Sequence, residues 1–197
     1  MDLNIFISTI VGIIVGSLVT GFFSLKAVKN SYKNQLKLNE DNENKAIMGL
    51  LHAIHDEIQT VFEIYQKNMG VLVESTQGDS GIKYYYPLVS EYFNIYSGNS
   101  YLIGRIPDAS LRKRIIVTYS LAKGLIDSYL MNNELVKNFE LASSLYNETN
   151  LDIYQLRAQI HDDELIKYAK SLKIGHYQLK ESIEDLFIEL RKHGVSS

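Results

Sequence analysis

The chain has 197 residues, 46% of them hydrophobic, with 20 Lys and Arg against 23 Asp and Glu, two prolines, no tryptophan and no cysteine. A net charge of −3 supplies no cationic surface for a nucleic-acid backbone. The missing cysteines exclude disulfides and thiolate metal sites, and the length suits one ordinary domain plus an appendage.

The appendage comes first. Leu3 to Leu25 is an apolar run without a charged residue. About 23 residues at roughly 1.5 Å each cross a hydrocarbon core with some tilt. Asp2 precedes the run, and Lys26, Lys29, Lys33 and Lys37 come after it. The positive-inside bias therefore places the N-terminus outside and the rest in the cytoplasm, with these lysines near anionic headgroups of the inner membrane. A cleavable signal peptide wants a basic start and a small-residue cleavage site; Met1-Asp2 and Ser24-Leu25-Lys26-Ala27 provide neither. In the opposite orientation Asn147-Glu148-Thr149 would serve as a glycosylation acceptor, but it reads as a chance tripeptide. The Asn, Ile, Lys and Tyr richness has a bacterial cast. Within the run, Ser8, Gly12 and Gly16 recur at four-residue spacing, a small-residue face that lets two spans approach closely.

Residues 26–45 read as a polar juxtamembrane stalk. Its Lys, Gln and Leu favour continued helix, while Asn39, Asn42 and Asn44 favour interruption. Beyond it Ile47, Leu51, Ile54, Ile58, Val61, Tyr65 and Leu72 keep alternating steps of four and three, with Asn68 as the polar member of a heptad seam. This coiled-coil-like helix is expected over roughly Asn44 to Glu74, packing within its own domain or against a second copy.

Ser75 to Lys83, with Gly78 and Gly81, reads as a loop. Tyr84, Tyr85, Tyr86, Tyr92, Phe93, Tyr96 and Tyr101 then cluster around a short helix expected from about Leu88 to Ser97, turning at Gly98-Asn99; such rings close a core or receive a partner. Asp108, after Pro107, is placed to cap a long helix striped by Leu111, Ile115, Tyr119, Ala122, Ile126 and Tyr129 and continuing toward Leu145. A last helical region runs from about Asp152 to Lys192 on Leu179, Ile183, Leu186 and Leu190, with Gly175 as a candidate break. No alternating strand pattern competes. The fold expected is all-α: a membrane anchor over 1–25, a stalk over 26–45, and a cytosolic antiparallel helical bundle over 46–197.

Two clusters carry candidate chemistry. Arg105, Arg112, Lys113 and Arg114 crowd the start of the long helix, where the macrodipole also favours anions; the plainer reading is a solvated face. His52, His55 and Asp56 with His161 and Asp162 would bind a divalent metal if the fold united them, but no H-E-x-x-H and no Glu-x-x-His occurs. Phosphate loops and nucleophile elbows are also missing from the sequence. No cofactor, catalytic residue or nucleic-acid partner is therefore expected. The function expected is a non-enzymatic, homo-oligomeric interaction protein, a scaffold or sensor docking an unknown protein partner at the membrane. A membrane-perturbing toxin or phage-defence effector is the alternative, and an anchored metal-dependent enzyme a second one.

Overall fold

The computed structural model describes residues 3–87 and 92–195, with side chains described over that range apart from 3–11, 13–15 and 19. Among the described residues every regular element is helical: α1 (Leu3–Tyr65), a π-turn (Gln66–Gly70), α2 (Val71–Ser75), α3 (Asn94–Gly98), α4 (Ser100–Arg105), α5 (Ala109–Thr149) and α6 (Asp152–Lys192). The all-α expectation holds. Contacts divide the chain into two units, Met1–Ala46 and Ile47–Ser197.

In the first unit α1 is helical throughout 26–45, so the asparagines do not interrupt the stalk. No helix among the described residues is long and apolar enough to cross a membrane. Much of the expected span, including Ser8, lies outside the described side chains. Of those described, Leu18, Phe22, Phe23 and Leu25 are exposed, and Cβ atoms added at Gly12 and Gly16 would meet nothing within 4 Å.

The second unit is built on the expected seam. Ile47, Leu51, Ile54, Ile58 and Tyr65 are buried, while Val61 is half-buried. After Tyr65 the register changes. Met69 and Val73 face the core, whereas Asn68 is exposed and Leu72 only half-buried. The cause is the π-turn, whose wider hydrogen bonding inserts one residue and rotates the chain beyond it by about 100° relative to a continuous α-helix.

Helices α5 and α6 form a long antiparallel hairpin. Asp108 caps α5 as expected, its Oδ1 accepting from the backbone N–H of Ser110 (2.7 Å) and Leu111 (3.0 Å). Asn150, in the left-handed region at φ 52°, ends α5, and Leu151 starts α6 in extended conformation. Gly175 stays inside α6 without a break. The far end closes through Gly194 at φ 84°: its N–H reaches the Arg191 carbonyl, and Val195 N–H reaches that of Leu190, a Schellman arrangement that buries Val195 beneath the turn.

The stretch between α2 and α5 crosses this hairpin in mostly irregular conformation. Its backbone groups are satisfied by side chains of α5: Asn132 Nδ2 donates to the Ile82 carbonyl (3.0 Å), and Asn133 both donates to the Tyr86 carbonyl (2.8 Å) and accepts from Tyr86 N–H (3.0 Å). The expected helix from Leu88 begins only at Asn94, with 88–91 outside the described residues. Tyr86, Tyr92 and Tyr96 pack on the core, while Tyr84, Tyr85 and Tyr101 are exposed.

Close approach to α6 demands a glycine here. A Cβ at Gly81 would lie 2.8 Å from Leu165 Cβ and 3.2 Å from the Leu165 backbone carbon, whereas one at Gly78 would meet nothing. Gly81→Ala is expected to destabilise the bundle by about 1–3 kcal/mol through overpacking, and Gly78→Ala to be close to neutral. Denaturant midpoints of the two variants beside the parent check this.

Candidate functional site

The π-turn brings three distant polar residues into one line. Tyr65 ends α1, Glu74 sits in α2, and His176 projects from α6, itself 0% exposed. Glu74 Oε1 lies 3.0 Å from His176 Nε2, and His176 Nδ1 lies 2.9 Å from the Tyr65 hydroxyl. The Tyr65 and Tyr129 hydroxyls are 3.2 Å apart. A carboxylate only accepts, so in the neutral imidazole the proton sits on Nε2 and donates to Glu74. Tyr65 O–H then donates to Nδ1, and Tyr129 O–H donates to the Tyr65 oxygen. With the imidazole neutral, every proton along this line points toward Glu74.

Glu74 anchors that direction. Hydrogen bonds from His176, then Lys180 and Gln66, hold its carboxyl at about 2, below its ordinary value of 4.5. Lys180 Nζ and Gln66 Nε2 donate to Oε1 at 3.0 and 3.2 Å, with Gly70 leaving the space that the Gln66 side chain fills. Lys173 Nζ donates to the Glu74 and Thr76 carbonyls at the end of α2 (3.3 and 3.1 Å). Burial pushes the Tyr65 hydroxyl well above its ordinary range and that of Tyr129 up to about 12, so both stay protonated.

Tyr65 and Tyr129 also line a partly open cavity of about 50 Å³, together with Ile58, Phe62, Leu125 and Ile183. Its wall is mostly carbon, with the two hydroxyls turned to each other and to His176. The arrangement can seat an apolar group.

A second carboxylate organises the neighbouring segment. Glu57 of α1 accepts from the backbone N–H of Ile95 (2.7 Å) and Tyr96 (3.3 Å) and from the Tyr119 hydroxyl (2.6 Å). It caps α3, which has no side-chain cap of its own and starts from Phe93 at φ 73°.

The structure does not assemble the clusters the sequence proposed. His55 is buried, donating to Asp56 Oδ1 (3.1 Å) with its ring 4.6 Å from Phe187, while His52 is exposed. His161 pairs with Glu164 (2.9 Å) and Asp162 with Lys83 (2.8 Å). His161 and Phe187 lie toward opposite ends of α6, roughly 40 Å apart at 1.5 Å per residue, so these histidines cannot share an ion. The basic group is likewise dispersed: Arg105 bonds the Tyr101 hydroxyl, Arg112 the Ile106 carbonyl, and Arg114 Asp185 at 2.7 Å. Lys113 and Arg114 share an open surface cavity with the acidic Glu181 and Asp185. Lys26, Lys29, Lys33 and Lys37 are exposed along α1.

A different trio does converge, with ligand atoms of Asp108, Glu189 and His193 within 4.8 Å of one another. Its atoms are engaged: His193 Nε2 lies 3.2 Å from Asp108 Oδ2, Asp108 Oδ1 caps α5, and Lys192 holds Glu189 at 2.9 Å. The trio ties the end of α6 to the start of α5.

The direction of the hydrogen bonds ranks the two tyrosines. Tyr65→Phe leaves His176 Nδ1 buried and unpaired, a loss of about 1–3 kcal/mol, whereas Tyr129→Phe removes a terminal donor and costs about 0.5–1.5 kcal/mol; urea titrations of both variants should order them so. Because Glu74 binds its proton less readily in the folded state, its contribution is fully present above pH 4.5 and is lost as pH falls through about 2. The stability gap between the parent and Glu74→Gln should be flat at neutral pH and shrink across that acid window, as thermal melts at successive pH values will show.

No protein-family model, curated protein or solved structure matches this chain.

Proposed function

We propose that the chain is a single-pass membrane-anchored interaction protein, a scaffold or sensor whose helical bundle stands at the cytoplasmic face. The observation that carries this reading is the uncharged run from Leu3 to Leu25 with Lys26, Lys29, Lys33 and Lys37 on one side only. A run of that length satisfies the bilayer thickness, and the one-sided lysines satisfy the orientation rule. The bundle supports the interaction part. Its line from the ionised Glu74 carboxylate through the buried His176 to Tyr65 and Tyr129 ties α1, α2, α5 and α6 together, an arrangement suited to fixing a shape that partners dock on.

Gly12 and Gly16 offer the contact through which spans pair. In lipid, association rests on close van der Waals packing at small residues, and leucine at either position blocks the approach. Full-length protein in detergent is expected to sediment as an oligomer, and Gly16→Leu to weaken that assembly about tenfold, or roughly 1.4 kcal/mol. Resistance to alkaline extraction from membranes, with a C-terminal tag shielded in sealed right-side-out vesicles, tests the anchor and its orientation. Extraction into the soluble fraction overturns the reading.

A further inference from the structure

Helix α6 carries two apolar faces, and the bundle uses one. The inner face is built on Leu165, Leu172, Leu179 and Leu186, each 0–5% exposed. On the outer face Ile153, Leu156, Ile160, Ile174 and Tyr177 are between 46% and 60% exposed. The two faces are opposed by construction. Leu156 and Leu165, Ile174 and Ile183, and Tyr177 and Leu186 are each nine positions apart, two and a half helical turns.

The outer residues are not scattered. From Ile153 to Tyr177 they keep alternating steps of three and four, and the intervening members of the series are the exposed Asp163, Lys167 and Lys170. Among the described residues this heptad seam has no partner in its own chain. We propose that its partner is the same seam of a second copy, in antiparallel orientation.

The charges select that orientation. A two-fold axis between Asp163 and Lys167 sets Asp163 against Lys167 of the other copy, twice. The same register sets Leu156 against Ile174, Ile153 against Tyr177, and the stem of Lys170 over Ile160. Every layer is complementary, as an isologous contact requires. A parallel pair would stack Asp163 on Asp163, Lys167 on Lys167 and Lys170 on Lys170, three repulsive layers in succession. The antiparallel axis brings two copies of Glu164 toward each other, each already paired with His161 at 2.9 Å.

The contact differs in kind from span pairing. The bundle segment of α1 runs antiparallel to α6, since His55 meets Phe187 while Tyr65 meets His176. Two chains joined through α6 therefore carry these bundle segments in opposite directions. The contact does not depend on the anchor.

The chain has no cysteine, so engineered thiols report without background. Full-length Leu156→Cys and Ile174→Cys proteins, mixed in detergent and mildly oxidised, are expected to cross-link to each other, and neither alone to itself. Like positions in the antiparallel pair lie about 27 Å apart at Leu156, far beyond disulfide reach. Self-cross-linking of either variant, or none in the mixture, overturns the proposal. Asp163→Lys should weaken the pairing about tenfold and Asp163→Lys with Lys167→Asp restore it, read as mass by sedimentation. A role confined to the i, i+4 pair within one helix would leave the mass unchanged. Repeating the cross-link on Gly16→Leu separates the two associations: a persistent α6 link with lost span pairing leaves this contact standing by itself.

Discussion

The hydrogen bond between Glu74 and His176 is the constraint around which the bundle is arranged. An imidazole with no exposed surface is costly to bury unless both nitrogens are paired, and here one nitrogen faces the end of α2 and the other the end of α1. That requires the chain to present Tyr65 and Glu74 to the same point on α6. A continuous α-helix from Tyr65 would instead turn Leu72 inward and swing Glu74 about 100° aside. The π-turn is the local distortion that satisfies the distant pair, and Met69 and Val73 replace the regular seam positions as a result.

The same logic explains the other buried polar groups. The segment between α2 and α5 contributes rings to the core but has little regular structure to satisfy its own backbone. Helices supply what it lacks: Glu57 serves the first amides of α3, Asn132 and Asn133 the irregular run at Ile82 to Tyr86, and Lys173 the last carbonyls of α2. Each is a polar side chain on a face that otherwise reads as core, held there because an unpaired buried backbone group costs more than its burial.

Features that leave a local trace were legible in the sequence. The seam from Ile47 to Tyr65, the Asp108 cap and the long final helices belong to this class, since hydrophobic period and capping chemistry act over a few residues. The seam broke at Asn68 because a π-turn has no comparable signature; its cause lies in a histidine 102 residues from Glu74. Glu74 and His176 are for the same reason invisible singly, a lone acid and a lone histidine. Conversely His55 and His161 each sit beside an aspartate, which resembles a ligand pair in the sequence, yet the two dipeptides pack toward opposite ends of α6 as unrelated local pairs. The arginines beside Asp108 cluster in sequence but diverge on the helix, each reaching a different acceptor.

A helix with apolar residues on opposite sides cannot bury both within a bundle on one flank, so the outer apolar residues of α6 between Ile153 and Tyr177 stay exposed. Covered by the same seam of a second copy, they would form one isologous contact with a two-fold axis across the helix, and a contact of that kind closes at two chains.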